Sequence, residues 1–170
     1  IGPIKNTNWG GIADVKSIKK AYDLTMTTRA LENHTDNPYR FPTQGYIFLH
    51  CLENSKFGGA NTISDGFYIA EYLKKNFKDY FHTLTTFHTF FEYQDENACL
   101  QNNCTLIELD NEKSVSQVRY NNRTEIMPFK NQKDLDKYIE ARRKFWSLIK
   151  SKTNNLEICL LYTSPSPRDN

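Results

Sequence analysis

The stretch His34-Thr35-Asp36-Asn37-Pro38-Tyr39-Arg40 carries the most specific signal in this chain of 170 residues. In an extended segment, residues i and i+2 project from the same face, so His34 and Asp36 direct an imidazole and a carboxylate to a common point. Such a pair supplies two of the three ligands of a 2-His-1-carboxylate facial triad, which holds non-haem Fe(II) and leaves coordination positions open. Taken alone, the tripeptide is better explained by a strand-end histidine and an aspartate that caps the turn at Asn37-Pro38.

Composition narrows the class of protein. A chain of this length suits one domain or a large part of one, and 38% hydrophobic with 14% aromatic residues predicts a packed core. A net charge of +2 without a polybasic run argues against a nucleic-acid or membrane partner. The four cysteines have no C-x-x-C spacing, so we expect neither a zinc site nor a disulfide framework. Reduced thiols indicate the cytoplasm, with mitochondria as the alternative in a eukaryote.

The hydrophobic pattern predicts many short strands interrupted by two helices. Residues 46–52 form a continuous apolar run, which predicts a strand buried on both faces. From Phe67 to Leu84 the apolar period becomes helical, with Asp65 as N-cap, and a second helix is predicted to begin near Asn131. This alternation favours a mainly β jelly roll with inserted helices over a parallel α/β sheet. Further extended segments are predicted at residues 6–15, 23–36, 60–64, 85–93, 105–109 and 115–120.

Several blocks together resemble one enzyme family. The segment from Asn6-Thr7-Asn8-Trp9-Gly10 through the His34 block resembles the γ-butyrobetaine dioxygenase branch of the Fe(II)/2-oxoglutarate-dependent oxygenases (TauD/TfdA-like), whose nearest relatives are the trimethyllysine dioxygenases. The resemblance covers residues 1–158. It implies a double-stranded β-helix, and hydroxylation of a C–H bond by O₂ coupled to decarboxylation of 2-oxoglutarate. The other agreeing blocks are Leu49-His50-Cys51-Leu52, Gly58-Gly59 with Asp65-Gly66-Phe67, and Arg119-Tyr120-Asn121-Asn122.

The resemblance also implies roles for individual positions, although it identifies no acid–base residue. Leu49 is nearly as well explained as a core leucine. Asn122 is equally well explained as part of a turn that ends a strand, whereas the functional role is slightly favoured for Asn121. Asn61 stands where the family has Ser or Thr. The implied roles are metal binding by His34 and Asp36, 2-oxoglutarate binding by Leu49 and Asn61, and substrate binding by Trp9, Asn121 and Asn122.

The substrate is the point at which this sequence departs from the family. Trp9 matches one aromatic residue of a cage for a trimethylammonium group, but Ala13 and Met26 stand where the family has aromatic residues. Each lost cation–π contact costs roughly 0.5–2 kcal/mol. A cage with one aromatic residue should bind a quaternary ammonium group poorly. The resemblance itself implies a small carboxylate substrate such as γ-butyrobetaine or a related betaine or amino-acid derivative. A trimethyllysine dioxygenase-like enzyme and a non-catalytic jelly-roll binding domain are the alternatives.

The end of the chain limits what it is expected to do alone. In the family, a distal histidine and an arginine that pairs with 2-oxoglutarate follow the second helix, whereas no histidine follows His88 here. Residues 159–170 resemble the in-frame translation of a transposase adapter used in sequencing-library preparation. We therefore expect residues 1–158 to be a partial, inactive dioxygenase domain and residues 159–170 a non-native tail. Homodimers are common in this group, and no residue here argues for one.

Overall fold

The computed structural model describes residues 2–7, 10–21, 24–53, 60–129 and 131–158. Within these ranges the strands form three small antiparallel sheets, ordered β1-β7, β3-β2-β6 and β4-β5. Short 3-10 turns lie at Leu24–Met26 and Lys152–Asn154. In chain order the elements are β1 (Asn61–Ser64), α1 (Gly66–Asn76), α2 (Lys78–Thr86), β2 (His88–Gln94), β3 (Cys99–Thr105), β4 (Ile107–Leu109), β5 (Val115–Val118), β6 (Glu125–Ile126), α3 (Gln132–Ile149) and β7 (Asn155–Ile158).

The first predicted helix is two helices. Its N-cap is confirmed, because the Asp65 carboxylate accepts a hydrogen bond from the Tyr68 backbone N–H at 2.9 Å. Phe77 leaves the helical conformation, yet its N–H still donates to Leu73 O, and its carbonyl accepts the first bond of α2 from Phe81 N–H. The apolar period continues through this one-residue break, so the sequence pattern does not reveal it.

The three helices and β4 enclose the main core. The start of α3 is confirmed, since the Asn131 side chain accepts from the Asp134 backbone N–H at 2.8 Å. Burying one large apolar side chain stabilises the fold by about 1.5–3 kcal/mol. The side chains that are completely buried in this cluster are Ile69, Ala70, Leu73, Leu84, Leu106, Ile107, Tyr138, Ala141 and Phe145.

The strand predicted at residues 46–52, buried on both faces, is not formed. The side chains of Tyr46, Phe48 and Leu52 are 74%, 76% and 84% exposed. A strand is held by hydrogen bonds to a neighbour, and no strand within the described residues pairs with this run. The apolar run predicted buried side chains, but the described part of the chain contains no element that covers them.

The extended segments predicted at residues 6–15 and 23–36 also form no strand among the described residues. Residues 6–15 contain only an isolated bridge between Thr7 and Gly10, with Asn8 and Trp9 outside the described residues. In the described residues 24–36 the 3-10 turn is followed by bends at residues 27–29, 33 and 36, and no strand forms. Asp23 lies outside the described residues. Asn, Asp and Thr are frequent in both segments, and their side chains bond to nearby backbone in competition with sheet pairing.

The remaining strand predictions are confirmed in place, with shifted ends. Residues 60–64 contain β1, residues 85–93 contain most of β2 after the end of α2, and the predicted 105–109 and 115–120 pair is β4 against β5. The sequence did not indicate β3, whose polar Gln101-Asn102-Asn103 has low strand propensity, although it pairs with β2 along its full length. The described residues thus form a mixed fold of helices and antiparallel strands.

A buried ion pair joins the β3-β2-β6 sheet to α3. The Glu125 carboxylate on β6 is only 1% exposed, and it accepts from Arg142 Nε at 2.5 Å and from the Tyr138 hydroxyl. The Arg142 guanidinium also lies 5.0 Å from the centroid of the Tyr120 ring. A buried carboxylate needs such partners, because removing one of them leaves an uncompensated charge in the core.

We expect Arg142→Leu to lower the free energy of unfolding by about 3–5 kcal/mol, because it leaves Glu125 buried without its cation. Arg143→Leu changes an exposed neighbour on the same helix and should alter it by less than about 0.5 kcal/mol. Urea unfolding followed by circular dichroism measures both. Equal stability of the two variants would contradict the importance of this pair.

Candidate functional site

The structure brings His34 and Asp36 together. Nε2 of His34 lies 3.1 Å from Oδ1 of Asp36, so the convergence expected from their spacing is confirmed as geometry. Nδ1 of His34 lies 2.7 Å from the Glu32 carbonyl oxygen. A carbonyl can only accept, so Nδ1 carries a proton and Nε2 is the nitrogen that faces the carboxylate. That nitrogen and the carboxylate oxygen are then arranged to share a cation, which is either a proton or a metal ion.

The pKa shifts of the two side chains also indicate that they share a cation. The hydrogen bond that the His34 ring donates to Asp36 raises the pKa of His34 above its usual value, against the opposing effect of partial burial. The same bond lowers the pKa of the Asp36 carboxyl. The Asp36 side chain is 47% exposed and that of His34 19%, so the pair lies at the surface with the carboxylate outermost.

The donor set fits two positions of a metal site. Adjacent ligands of an octahedral ion with bonds of about 2.1 Å are about 3.0 Å apart, close to the observed separation. The bond from Nδ1 to a backbone carbonyl is the usual outer contact that orients a ligating histidine. Nowhere in the described ranges do three or more His, Cys, Asp or Glu side chains gather as a metal-binding group. Among the described residues, the candidate metal site is therefore limited to these two possible ligands.

Thr35 attaches this pair to the body of the fold. Its backbone N–H donates to the Tyr120 carbonyl at 2.7 Å, and its hydroxyl accepts from the Tyr120 N–H at 3.0 Å. Asn121 is 3% exposed; its amide nitrogen donates to the Thr35 carbonyl, and its amide oxygen accepts from the Arg123 N–H. Both ends of the Asn121 side chain therefore hold backbone.

The turn after Asp36 is anchored on the β2-β3 sheet. Asn37 adopts a left-handed backbone conformation with φ of 51°, which asparagine tolerates better than most residues. Tyr39 is buried, packs with Phe91 and Cys104, and donates its hydroxyl to the Asn37 side chain at 2.6 Å. The predicted turn is confirmed, and it fixes the direction in which the chain leaves the pair.

The residues before His34 attach the pair to two further elements. The Asn33 amide donates to Ser64 Oγ at 2.6 Å and to Asn155 Oδ1 at 3.0 Å, which connects it to the β1-β7 pair. The Glu32 carboxylate accepts from Asn122, and also from Trp146 and Lys150 near the end of α3. A cavity of about 150 Å³ lies beside these contacts, lined by Glu32, Asn33, Trp146, Ile149, Lys150 and Asn155.

The other predicted site residues are less closely connected to the pair. Leu49 is 63% exposed on the unpaired run 46–52. Asn61 lies at the start of β1 opposite Ile158, about 10 Å along the strand from Ser64. Trp9 lies outside the described residues. Of the two positions that depart from the aromatic cage, Ala13 is exposed and Met26 is half-buried.

Sequence reasoning did not indicate Glu32, Asn33 or Thr35. A signal for Glu32 was present, because Glu32, His34 and Asp36 alternate on one face of an extended segment. Asn33 and Thr35 carry no comparable signal, since their partners are 31 and 85 residues away in the chain.

Comparison with known proteins identifies the family. The taurine catabolism dioxygenase TauD, TfdA family profile matches residues 1–158, and the chain belongs to this family. This confirms the family predicted from the sequence. No helix in the described part of the chain is long and apolar enough to cross a membrane.

Individual relatives are similar to the chain at modest identity. A trimethyllysine dioxygenase of Meyerozyma guilliermondii is 28% identical over 158 residues, which is 90% of this chain and 40% of that protein. The γ-butyrobetaine dioxygenase of Pseudomonas sp. strain AK-1 is 34% identical over 70% of the chain, and the human one 32% over 69%; 31% of each relative is covered. The chain thus spans less than half the length of these relatives.

Tyr120 holds Thr35 through its backbone, and its side chain allows a pH test of the packing beneath the site. Its side chain is buried against Phe145, and this burial raises the pKa of Tyr120 to about 12. An exposed tyrosine in the unfolded chain has a pKa of about 10. Between these values the unfolded chain releases a proton that the folded chain keeps, so stability falls as the pH rises.

We expect the free energy of unfolding to fall between pH 10 and about pH 12, and Tyr120→Phe to reduce the slope of that fall. The contribution is complete below pH 10. Urea unfolding at a series of pH values measures the slope, with Tyr72→Phe, at an exposed position, as the control. Identical slopes in wild type and Tyr120→Phe would contradict the raised pKa of the buried Tyr120 side chain.

Proposed function

We propose that the protein containing this chain is an Fe(II)- and 2-oxoglutarate-dependent dioxygenase that hydroxylates a small carboxylate substrate. The observation that carries the proposal is the His34–Asp36 pair, with its 3.1 Å separation and its oriented imidazole, in a chain of the TauD/TfdA family. The bound iron supplies the activation of O₂ that couples decarboxylation of 2-oxoglutarate to hydroxylation.

In this proposal the residues of the chain orient the metal ligands and the substrate. His34 contributes Nε2 and Asp36 a carboxylate oxygen, while the Glu32 carbonyl holds the ring in the tautomer that leaves Nε2 free to bind. Asn121 holds the ligand segment through Thr35. The side-chain amides of Asn121 and of the exposed Asn122 remain proposed to bind the substrate. Leu49, Asn61 and Trp9 remain proposed as cosubstrate and substrate contacts.

The third metal ligand and the arginine that binds 2-oxoglutarate are proposed to lie in the part of the relatives that this chain does not cover. The family match supports a double-stranded β-helix for the complete domain, of which residues 1–158 would be a part. In that domain the apolar run 46–52 would gain strand partners that the described residues do not supply. Residues 159–170, which lie outside the described residues, are proposed to be a non-native tail.

The proposed substrate is γ-butyrobetaine or a related betaine or amino-acid derivative. The bacterial and human relatives named as γ-butyrobetaine dioxygenases favour this choice. A trimethyllysine dioxygenase-like activity is the second candidate, because the yeast relative of that name aligns with 90% of the chain. Ala13 and Met26 weaken any cage for a trimethylammonium group.

The ligand assignment is tested in the complete protein. We expect His34→Ala and Asp36→Ala each to abolish succinate formation from 2-oxoglutarate, because each removes a metal ligand. His82→Ala, an exposed histidine on α2, should leave the rate unchanged. Wild-type succinate formation in either ligand variant would refute the assignment, and no 2-oxoglutarate turnover by the wild-type protein would refute the function.

The cage alignment has its own test. Replacing Ala13 with Trp and Met26 with Tyr should tighten the binding of a trimethylammonium carboxylate, since each restored cation–π contact contributes roughly 0.5–2 kcal/mol. Isothermal titration with γ-butyrobetaine measures the change, and a ligand of the same length with a neutral end is the control. An equal gain for both ligands would mean that the added rings bind as apolar surface and that the cage is misaligned.

A further inference from the structure

Glu32 makes two kinds of contact with the candidate metal site. Its backbone carbonyl accepts the Nδ1 proton of His34 at 2.7 Å. Its carboxylate accepts three bonds, from Asn122 Nδ2 at 3.0 Å, Trp146 Nε1 at 3.3 Å and Lys150 Nζ at 3.2 Å. Main chain and side chain of one residue therefore connect the imidazole to groups that are distant in sequence.

These three donors come from two separate parts of the fold. Trp146 and Lys150 are at the C-terminal end of α3, where the ammonium of Lys150 also lies 4.3 Å from the Trp146 ring. Asn122 belongs to the turn that follows Tyr120 and Asn121. A carboxylate held from two directions fixes the backbone of residue 32 more firmly than one contact does. The direction of its carbonyl, and hence the plane of the His34 ring, is fixed with it.

Stability alone does not account for this arrangement. The side chains of Glu32 and Lys150 are 41% and 52% exposed, and an ion pair at such a surface contributes little to stability. The geometric effect is larger, because loss of an outer-shell contact to a metal-binding histidine typically costs 10-fold to 100-fold in metal affinity. The two effects are therefore separable by experiment.

We propose that Glu32 is a positioning residue, whose carboxylate holds its own carbonyl against His34 Nδ1 and orients the amide of Asn122. This rests on the proposed function, because it concerns the same metal site. The end of α3 then acts on the site through Glu32 without contacting the metal or the substrate. Trp146 and Lys150 support the positioning residue from outside.

The test uses the complete protein. It measures Co(II) binding by visible absorption and, in the metal-free protein at a pH where the His34 ring is neutral, the His34 tautomer by ¹⁵N NMR. We expect Glu32→Ala to weaken Co(II) binding about tenfold and to replace a single Nδ1–H tautomer by a mixture. Glu32→Gln, which keeps one acceptor oxygen, should recover part of the affinity. Glu157→Ala, an exposed glutamate on β7, is the matched control and should bind as wild type.

The outcomes separate the two proposals. If His34→Ala abolishes Co(II) binding while Glu32→Ala keeps wild-type affinity and tautomer, the positioning role is refuted and the metal site stands. If His34→Ala itself binds Co(II) as wild type does, the metal site and the proposed function fail. Should Glu32→Ala lower the urea midpoint of unfolding in parallel with its loss of Co(II) affinity, while the His34 tautomer stays as in wild type, its role is structural and the proposal is overturned.

Discussion

Two hydrogen bonds between Thr35 and Tyr120 connect the candidate site to the core of this chain. Tyr120 is 3% exposed and packs on Phe145 of α3, so the segment that carries His34 and Asp36 is bound to one of the most buried residues in the fold. Without this contact the segment would be a surface loop whose two functional groups converged only part of the time. The contact turns a local sequence pattern into a lasting geometry.

The site is held from several sides, and each side uses a different kind of contact. The turn at residues 37–40 is held by burial of Tyr39, the β1-β7 pair holds Asn33 through side-chain hydrogen bonds, and the end of α3 holds Glu32 through charge. The ion pair at Glu32 is the contact most sensitive to salt, because it is the most exposed.

The sequence predicted local features well where the physics is local. The caps Asp65 and Asn131 were correct, because a side chain accepting a hydrogen bond three residues ahead depends on little else. The β4-β5 pair was correct, because its strands are joined by a short turn. Predictions failed for residues 46–52 and for β3, because a strand exists only where a partner lies beside it, and partners are set by the whole chain.

The contrast between local features and features set by the whole chain also applies to the candidate site. By itself the sequence determined that His34 and Asp36 share a face, since alternation along an extended backbone follows from covalent geometry. It also placed the chain in its family through blocks that recur in order. Only the tertiary structure decided that Glu32 would orient the imidazole, that Asn121 would hold backbone, and that α3 would contact the site. The contact between Glu32 and His34 spans two positions, but the bonds of Asn121 and of the Glu32 carboxylate join residues more than 80 positions apart. Such proximity is a property of packing that no short stretch of sequence contains.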